Sequence, residues 1–354
     1  PNGQSRDTST STAGRSCSAA FTGCSHGTSM AAVAAMNYTA VSAGSGGVAK
    51  GAGILPVQVF NANSRGALSA NSGDLLLAIE WVTAQAKSRN TQGLAPIAAL
   101  NLSLGNGIYS AACDSDYLGK LFKTAFTNLR AQGVMPVAAA GNSYNRSGIS
   151  FPACVSNTVS VASAKMNYSG LASYSNFSSQ VKLVAIGGDS NAAYSMPSLC
   201  AIAGSYDCWA VGMGTSPATA LVSGAAAALK MLQPSASADR LQTALTQDLT
   251  ATDPRAIKVN GVAGLRLSAS AGQLLGLTPP GSATSNNSTD GTDVSSANAV
   301  KVCLHQSTQY QGNYACAVTN LVSGNNAEVY SYFGRVGSVS IRDANSGLPV
   351  ANRI

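Results

Sequence analysis

Short, continuously apolar runs alternate along this chain with longer segments whose apolar positions recur every three or four residues. The runs ILPVQVF (54–60), APIAALNLSLG (95–105), VMPVAAAGN (134–142), TVSVASA (158–164) and VKLVAIGG (181–188) predict strands. The segments HGTSMAAVAAMNYTAV from His26, DLLLAIEWVTAQAK (74–87), YLGKLFKTAFTNLRAQG (117–133), SPATALVSGAAAALKML (216–232) and ADRLQTALTQDL (238–249) predict helices. Leu75, Ile79 and Val82 fall on one stripe, Gly133 closes the third helix and Pro234 stops the fourth. Strands that are apolar throughout, separated by helices, imply an α/β fold of three layers: a mostly parallel sheet with helices on both faces. Such sheets collect ligands beyond the carboxyl ends of their strands. Ser103 to Gly105 and Gly141 to Asn142 are therefore the positions to watch.

The periodic pattern fades after residue 278. Residues 279–297 are rich in Pro, Ser, Thr, Asn and Gly and read as a linker. Residues 298–354 carry short alternating runs, such as AVKVCLHQSTQY and GNYACAVTNLV, and read as a small β-rich C-terminal module, or as an edge extension of the main domain. At the other end the chain opens PNGQSRDTSTSTAG, polar from its first residue and without Met. This reads as a cut start.

Composition narrows the class. The net charge is +7, but the basic residues are scattered and are not interleaved with aromatics, which argues against nucleic-acid binding. No run of 18 apolar residues suggests a membrane span. The eight cysteines form no CxxC and accompany only two histidines, a poor basis for a zinc site. Their even number and their neighbours suggest disulfides instead. Proximity pairs Cys17 with Cys24, Cys200 with Cys208, Cys303 with Cys316 and, over a longer loop, Cys113 with Cys154. Disulfides point to an oxidising compartment and so to a secreted, extracellular protein.

A serine hydroxyl is a weak nucleophile and needs an adjacent base. His305 lies in an alternating strand of the tail and reads as an ordinary strand residue. His26 opens a helix among small neighbours that let another segment approach. Two serines compete as its partner. Ser29 shares the helix of His26, three residues on. Ser216 follows glycines and opens a long small-residue helix, where backbone N–H groups can receive an oxyanion; it equally fits an ordinary helix cap. Asn142, ending AAAGN, can aim an amide NH₂ at the same oxyanion or serve only as a turn residue.

Taken in order, these motifs resemble those of subtilisin-like serine proteases. SHGTSMAA resembles the family's HGTHVAG, LNLSLG its cleft-lining segment, VAAAGN its oxyanion segment and GTSPATALVSG its GTSMATPHVAG. VAKGAGILPVQVF, ASYSNF (172–177) and GLRLSASAGQLL (264–275) resemble further family segments. The resemblance implies a serine endopeptidase domain over residues 1–278, incomplete at its N-terminus. It makes Ser216 the nucleophile, His26 the general base and Asn142 the oxyanion donor. Ser103, Leu104 and Gly105 would pair with an extended polypeptide substrate, and Ala138, Ala139, Ala140 and Gly141 would wall the residue before the cut bond. It also implies a removed propeptide as partner and structural calcium, although no EF-hand-like loop is present. The chemistry itself calls for no cofactor.

The chain departs from the family at several places. The orienting Asp should end a buried strand upstream of the histidine. Only Asp7 precedes His26, in QSRDTST, with no apolar strand before it. The catalytic Asp and its strand are therefore expected to lie before Pro1. Ser29, Ala32, Met213, Pro217, Ala220 and Leu221 replace common family residues, but none of them is a proton-transfer group. The alternative is a subtilisin-like binding or structural protein without catalysis. An esterase of another fold is disfavoured by the lack of GxSxG.

Overall fold

The computed structural model describes residues 25–36, 47–62, 68–165, 168–189, 195–197, 209–246, 258–265, 299–305, 314–320 and 339–343. The elements run α1 (His26–Ala35), β1 (Phe60–Ala62), β2 (Leu68–Ala70), α2 (Ser72–Thr91), β3 (Ala99–Leu102), β4 (Asn106–Tyr109) and α3 (Tyr117–Ala131). They continue with β5 (Met135–Ala139), β6 (Ile149–Phe151), β7 (Val159–Ala164), β8 (Leu183–Ile186), β9 (Ser195–Pro197), β10 (Trp209–Val211), α4 (Thr215–Leu232) and α5 (Ala238–Thr246). The last are β11 (Lys258–Val259), β12 (Val262–Ala263), β13 (Ala299–His305), β14 (Tyr314–Asn320) and β15 (Val339–Asp343).

The central sheet has the order β3-β5-β7-β8, all parallel, with Ala99 opposite Met135, Val137 opposite Val159 and Val161 opposite Leu183. Side chains alternate between its two faces. Met135, Val137, Val159, Val161 and Leu183 pack with Met30 and Val33 of α1, Leu221, Ala225 and Leu229 of α4 and Leu241 of α5. Ala138, Ala162 and Val184 pack the other way, with Leu75, Ile79 and Val82 of α2 and Phe122, Phe126 and Leu129 of α3. Burying each large side chain here is worth about 1.5–3 kcal/mol. The result is the three-layer architecture expected from the continuous strands.

Local rules set the helix ends. Asn71 caps α2 by accepting the Gly73 N–H at 2.7 Å, with Asp74 in the first turn and Arg89 in the last. The buried stripe of α2, Leu75, Ile79, Val82 and Ala86, is the predicted one, extended by a turn. In α4 small residues are buried on every side, because the helix is sandwiched between the sheet, α1 and α5. At Gly224 an added Cβ would lie 2.6 Å from the Ala34 carbonyl oxygen and 2.8 Å from Val48 Cβ, so α1 and α4 touch there backbone to backbone.

The strand predicted at 54–60 is not formed. Only Phe60 enters a strand, the short β1–β2 ribbon, and Ile54, Leu55 and Val57 are exposed at 50%, 47% and 36%. An apolar run becomes a strand only beside a partner, and no described strand pairs with residues 54–59. Likewise no described strand continues the central sheet beyond β3. Four antiparallel ribbons are not predicted by the sequence: β1–β2, β9–β10, β11–β12, and β4 on β6 with Asn106 opposite Phe151 and Tyr109 opposite Ile149.

Of the four expected disulfides, Cys113–Cys154 is formed, with S–S 2.10 Å and Cα–Cα 5.5 Å. In the three-stranded antiparallel sheet β14-β13-β15, Cys303 stands opposite Cys316 in register. Cys17, Cys24, Cys200, Cys208 and Asp7 lie outside the described residues, as do the linker 279–297 and most of the segment 264–275.

Candidate active site

Three chain segments end at one edge of the central sheet. β3 runs out into Ser103, Leu104 and Gly105; β5 runs out into Ala140, Gly141 and Asn142; α4 begins at Thr215, with Ser216 next. Hydrogen bonds tie the three together. The Asn142 Oδ1 accepts from the Thr215 N–H at 2.9 Å and the Thr215 hydroxyl at 2.8 Å. That same hydroxyl oxygen accepts the Gly141 N–H at 3.1 Å. With its oxygen held, the exposed Asn142 turns its Nδ2 toward Gly214, where a Cβ would lie 3.2 Å from it.

Ser216 and Ser103 exchange hydrogen bonds. The Ser103 hydroxyl donates to the Ser216 carbonyl at 2.8 Å, and the Ser216 hydroxyl donates to the Ser103 carbonyl at 3.2 Å. Asn101 backs this exchange: its Nδ2 donates to Ser103 Oγ at 2.9 Å and its Oδ1 accepts from Ser223 Oγ of α4 at 3.0 Å. The Ser216 N–H belongs to the first turn of α4, whose donors have no intrahelical acceptor. The side-chain-free volume at Gly214 is thus bordered by Asn142 Nδ2 at 3.2 Å and Ser216 N at 3.6 Å, two donors on one small space.

The wall behind Asn142 is rigid. Ala138, Ala139 and Ala140 are buried. Gly141 has φ +101°, and a Cβ there would strike Ser150 Oγ at 2.3 Å and Asn176 Nδ2 at 2.4 Å, so only glycine fits. Gly105 lies close against Phe151 of the β4–β6 ribbon, with its would-be Cβ 2.9 Å from the Phe151 carbonyl.

His26 is the first residue of α1 and is exposed. Although the residue as a whole is exposed, surrounding chain crowds the imidazole, and that partial desolvation lowers its pKa from the usual 6.5. No hydrogen bond joins it to Ser216, and among the described residues no carboxylate bonds it. His26 and Ser216 stand at the starts of the two helices, α1 and α4, that meet backbone to backbone at Ala34 and Gly224. Ser29 is excluded as nucleophile. It is buried and donates its hydroxyl to the Ser25 carbonyl at 3.1 Å, a bond within its own helical turn. His305 sits in β13, as its alternating segment suggested.

The sequence reading gave Asn176 no role, yet it is fully buried against the Asn142 loop and hydrogen-bonded on every side of its amide. Its one signal was its place in ASYSNF. Among the described residues, no group of three or more His, Cys, Asp or Glu side chains is placed to hold a metal ion. The expected calcium therefore finds no acidic ligand set there. No described helix is long and apolar enough to cross a membrane.

A parallel sheet between helix layers, with Ser216 at a helix start and Asn142 just past the end of β5, is the architecture expected of a subtilisin-like fold. The sequence model of the subtilase family matches residues 5–265, and the chain belongs to that family. It is 33% identical over 187 residues to the subtilisin-like serine protease Pen ch 13 of Penicillium rubens, a match covering 53% of this chain and 40% of that protein. It is 31% identical over 226 residues to subtilisin BL of Lederbergia lenta, covering 64% and 70%. Among solved structures, a protease from Pseudoalteromonas arctica superposes with a TM-score of 0.52 at 26% identity, with 69% of each chain covered. The chain spans only about two fifths of the length of the first curated relatives it matches.

Proposed function

We propose that the chain forms the body of a secreted serine endopeptidase, with Ser216 as nucleophile, His26 as general base and Asn142 as oxyanion donor. The observation that carries this reading is the pair of donors bordering Gly214, Asn142 Nδ2 and the Ser216 N–H, beside the Ser216 hydroxyl. The Ser216 Oγ turns from the Ser103 carbonyl toward His26, which takes its proton as Oγ attacks the peptide carbonyl. The two donors hold the tetrahedral oxyanion. His26 then gives the proton to the departing amine, and water releases the acyl group by the same steps in reverse. When the Ser216 hydroxyl leaves it, the Ser103 carbonyl is free to accept a backbone N–H of the substrate. An extended polypeptide would pair along Ser103, Leu104 and Gly105, with Ala138 to Gly141 framing the residue before the cut bond.

The orienting carboxylate for His26 belongs to this reading and is not among the described residues. In its absence turnover would fall by about 10⁴-fold. A propeptide and export from the cell fit the same scheme, and the Cys113–Cys154 disulfide supports an oxidising compartment. Residues 298–354 are read as a separate module, supported by the self-contained pairing of β13 with β14 and β15. A fluorophosphonate probe applied to the full-length, processed protein tests the reading. Labelling at Ser216, lost in His26→Ala, is expected; a folded protein that resists labelling would leave a non-catalytic subtilase.

A further inference from the structure

Asn176 spends most of its polar capacity on the loop that carries Asn142. Its Oδ1 accepts the Ser143 N–H at 2.9 Å and the Asn145 N–H at 3.1 Å. Its Nδ2 donates to the Ala140 carbonyl at 3.0 Å and to Ser150 Oγ at 3.4 Å. Its backbone N–H donates to the Gly141 carbonyl at 2.8 Å. A primary amide offers two donors and one oxygen with two lone pairs, and all of these are engaged. The residue is 0% exposed, so each bond is made out of water, where leaving one unmade is costly.

The bonds bracket Asn142 without touching it. The two preceding carbonyls, of Ala140 and Gly141, and two following amides, of Ser143 and Asn145, are all fixed by Asn176. Between them the backbone of Asn142 has little freedom, while Thr215 fixes its side-chain oxygen from the other direction. Arg146 closes the same seam, donating to the carbonyls of Ser175, Ala172 and Ser173 at 2.9, 3.1 and 3.1 Å. Neighbouring backbone bonds, Tyr144 N–H to Tyr174 O and Phe177 N–H to Asn145 O, add to it.

We propose that Asn176 is a positioning residue of the oxyanion site. It holds the 140–145 loop so that Asn142 Nδ2 and the Ser216 N–H face one point. This rests on the catalytic reading above. An oxyanion donor works only if it stands in place before the charge develops. A polar residue that fits a turn by composition alone would not need three side-chain bonds to the 140–145 loop and a fourth to Ser150 of β6.

The test is a double-mutant cycle in the full-length protein on a peptide substrate. Asn176→Ser is expected to lower kcat by about 10- to 100-fold while KM moves by less than about threefold. In an Asn142→Ala background the same change should cost almost nothing further, because Asn176 acts through Asn142. An equal fall in both backgrounds, or no fall, overturns the proposal. Amide hydrogen exchange on the unmodified protein reads the clamp directly, whether or not the variant folds. The Ser143 and Asn145 N–H groups should exchange slowly although Ser143 lies at the surface; free exchange of both would also overturn it. If the unmodified protein neither cleaves peptides nor takes the fluorophosphonate label, the catalytic reading fails instead, and this positioning role fails with it even where exchange is slow.

Discussion

The two halves of the candidate site are built differently. On one side, Asn142, Thr215, Ser103 and Ser216 are locked by short polar bonds between the ends of β3 and β5 and the start of α4. On the other, His26 stands exposed at the start of α1 without a hydrogen-bond partner among the described residues, on a helix held by α4 and by backbone bonds from Val48 and Ala49. Groups that stabilise developing charge must be preorganised, since moving dipoles during the reaction costs energy. A base that accepts a proton and then gives it away needs one more partner to hold its tautomer. On the catalytic reading proposed above, the described residues supply the first device, and the carboxylate of the second lies outside them.

The comparison can be broken most sharply at Asn142. On the proposed reading, Asn142→Ala removes one of two oxyanion donors, together with the bonds that Asn142 Oδ1 accepts from Thr215. kcat should fall by about 10²- to 10³-fold with KM little changed. Steady-state kinetics on a peptide amide decide it, and a loss carried mainly in KM would show that Asn142 binds substrate instead. The packed side is probed at Gly224. Gly224→Ala would push a methyl group against the Ala34 carbonyl and Val48 Cβ. It should destabilise the protein by about 1–3 kcal/mol. It should also lower kcat/KM by about 10-fold by shifting α1 and its histidine. A lower melting temperature with kcat/KM unchanged would mean that His26 is not positioned through this contact.

What the sequence could reveal follows the same division. The element ends that carry Ser216, Asn142 and His26 were legible because each lies within an ordered motif, and histidine is scarce in this chain. The buried helices and strands were legible because burial on one or both faces leaves a period in the residues. Asn176 was not legible: a polar residue in a loop looks alike whether its amide faces water or four partners supplied by distant segments. Asn101 was hidden for the same reason, lying in a strand with an apparently ordinary polar side chain. The run 54–60 misled in the opposite direction. Its apolar character was read as a strand, but whether a strand forms depends on a neighbour that no local pattern discloses. The β4–β6 ribbon escaped because NGIY and ISF are too short to show alternation.

The smallest effect on catalysis is expected behind the wall, at the turn between β6 and β7. There Lys182 Nζ donates to the carbonyls of Ser156 and, at 2.7 Å, Thr158. Asp114 accepts the Ser156 N–H and hydroxyl at 3.0 and 2.6 Å, and Cys154 is tied to Cys113. Burial, helped by the charge of Arg130 and opposed by that of Asp114, pushes the Lys182 pKa down to about 8. The native protein therefore releases this proton near pH 8, while the unfolded chain keeps it until about 10.5. Between those values the unfolded state binds more protons, so the contribution of this group to stability rises with pH, by up to about 3 kcal/mol. A neutral amine still has hydrogens for both carbonyls, which is why the cradle survives the loss of charge. Lys182→Met should flatten that rise in urea unfolding curves taken at pH 7.5 and 10.5, while kcat at pH 7.5 stays within about twofold. An unchanged pH slope would remove Lys182 as its source. A large fall in kcat would mean that the turn behind the wall and the oxyanion loop are one mechanical unit, and that the anchored half of the site extends much further than its hydrogen bonds to Asn142.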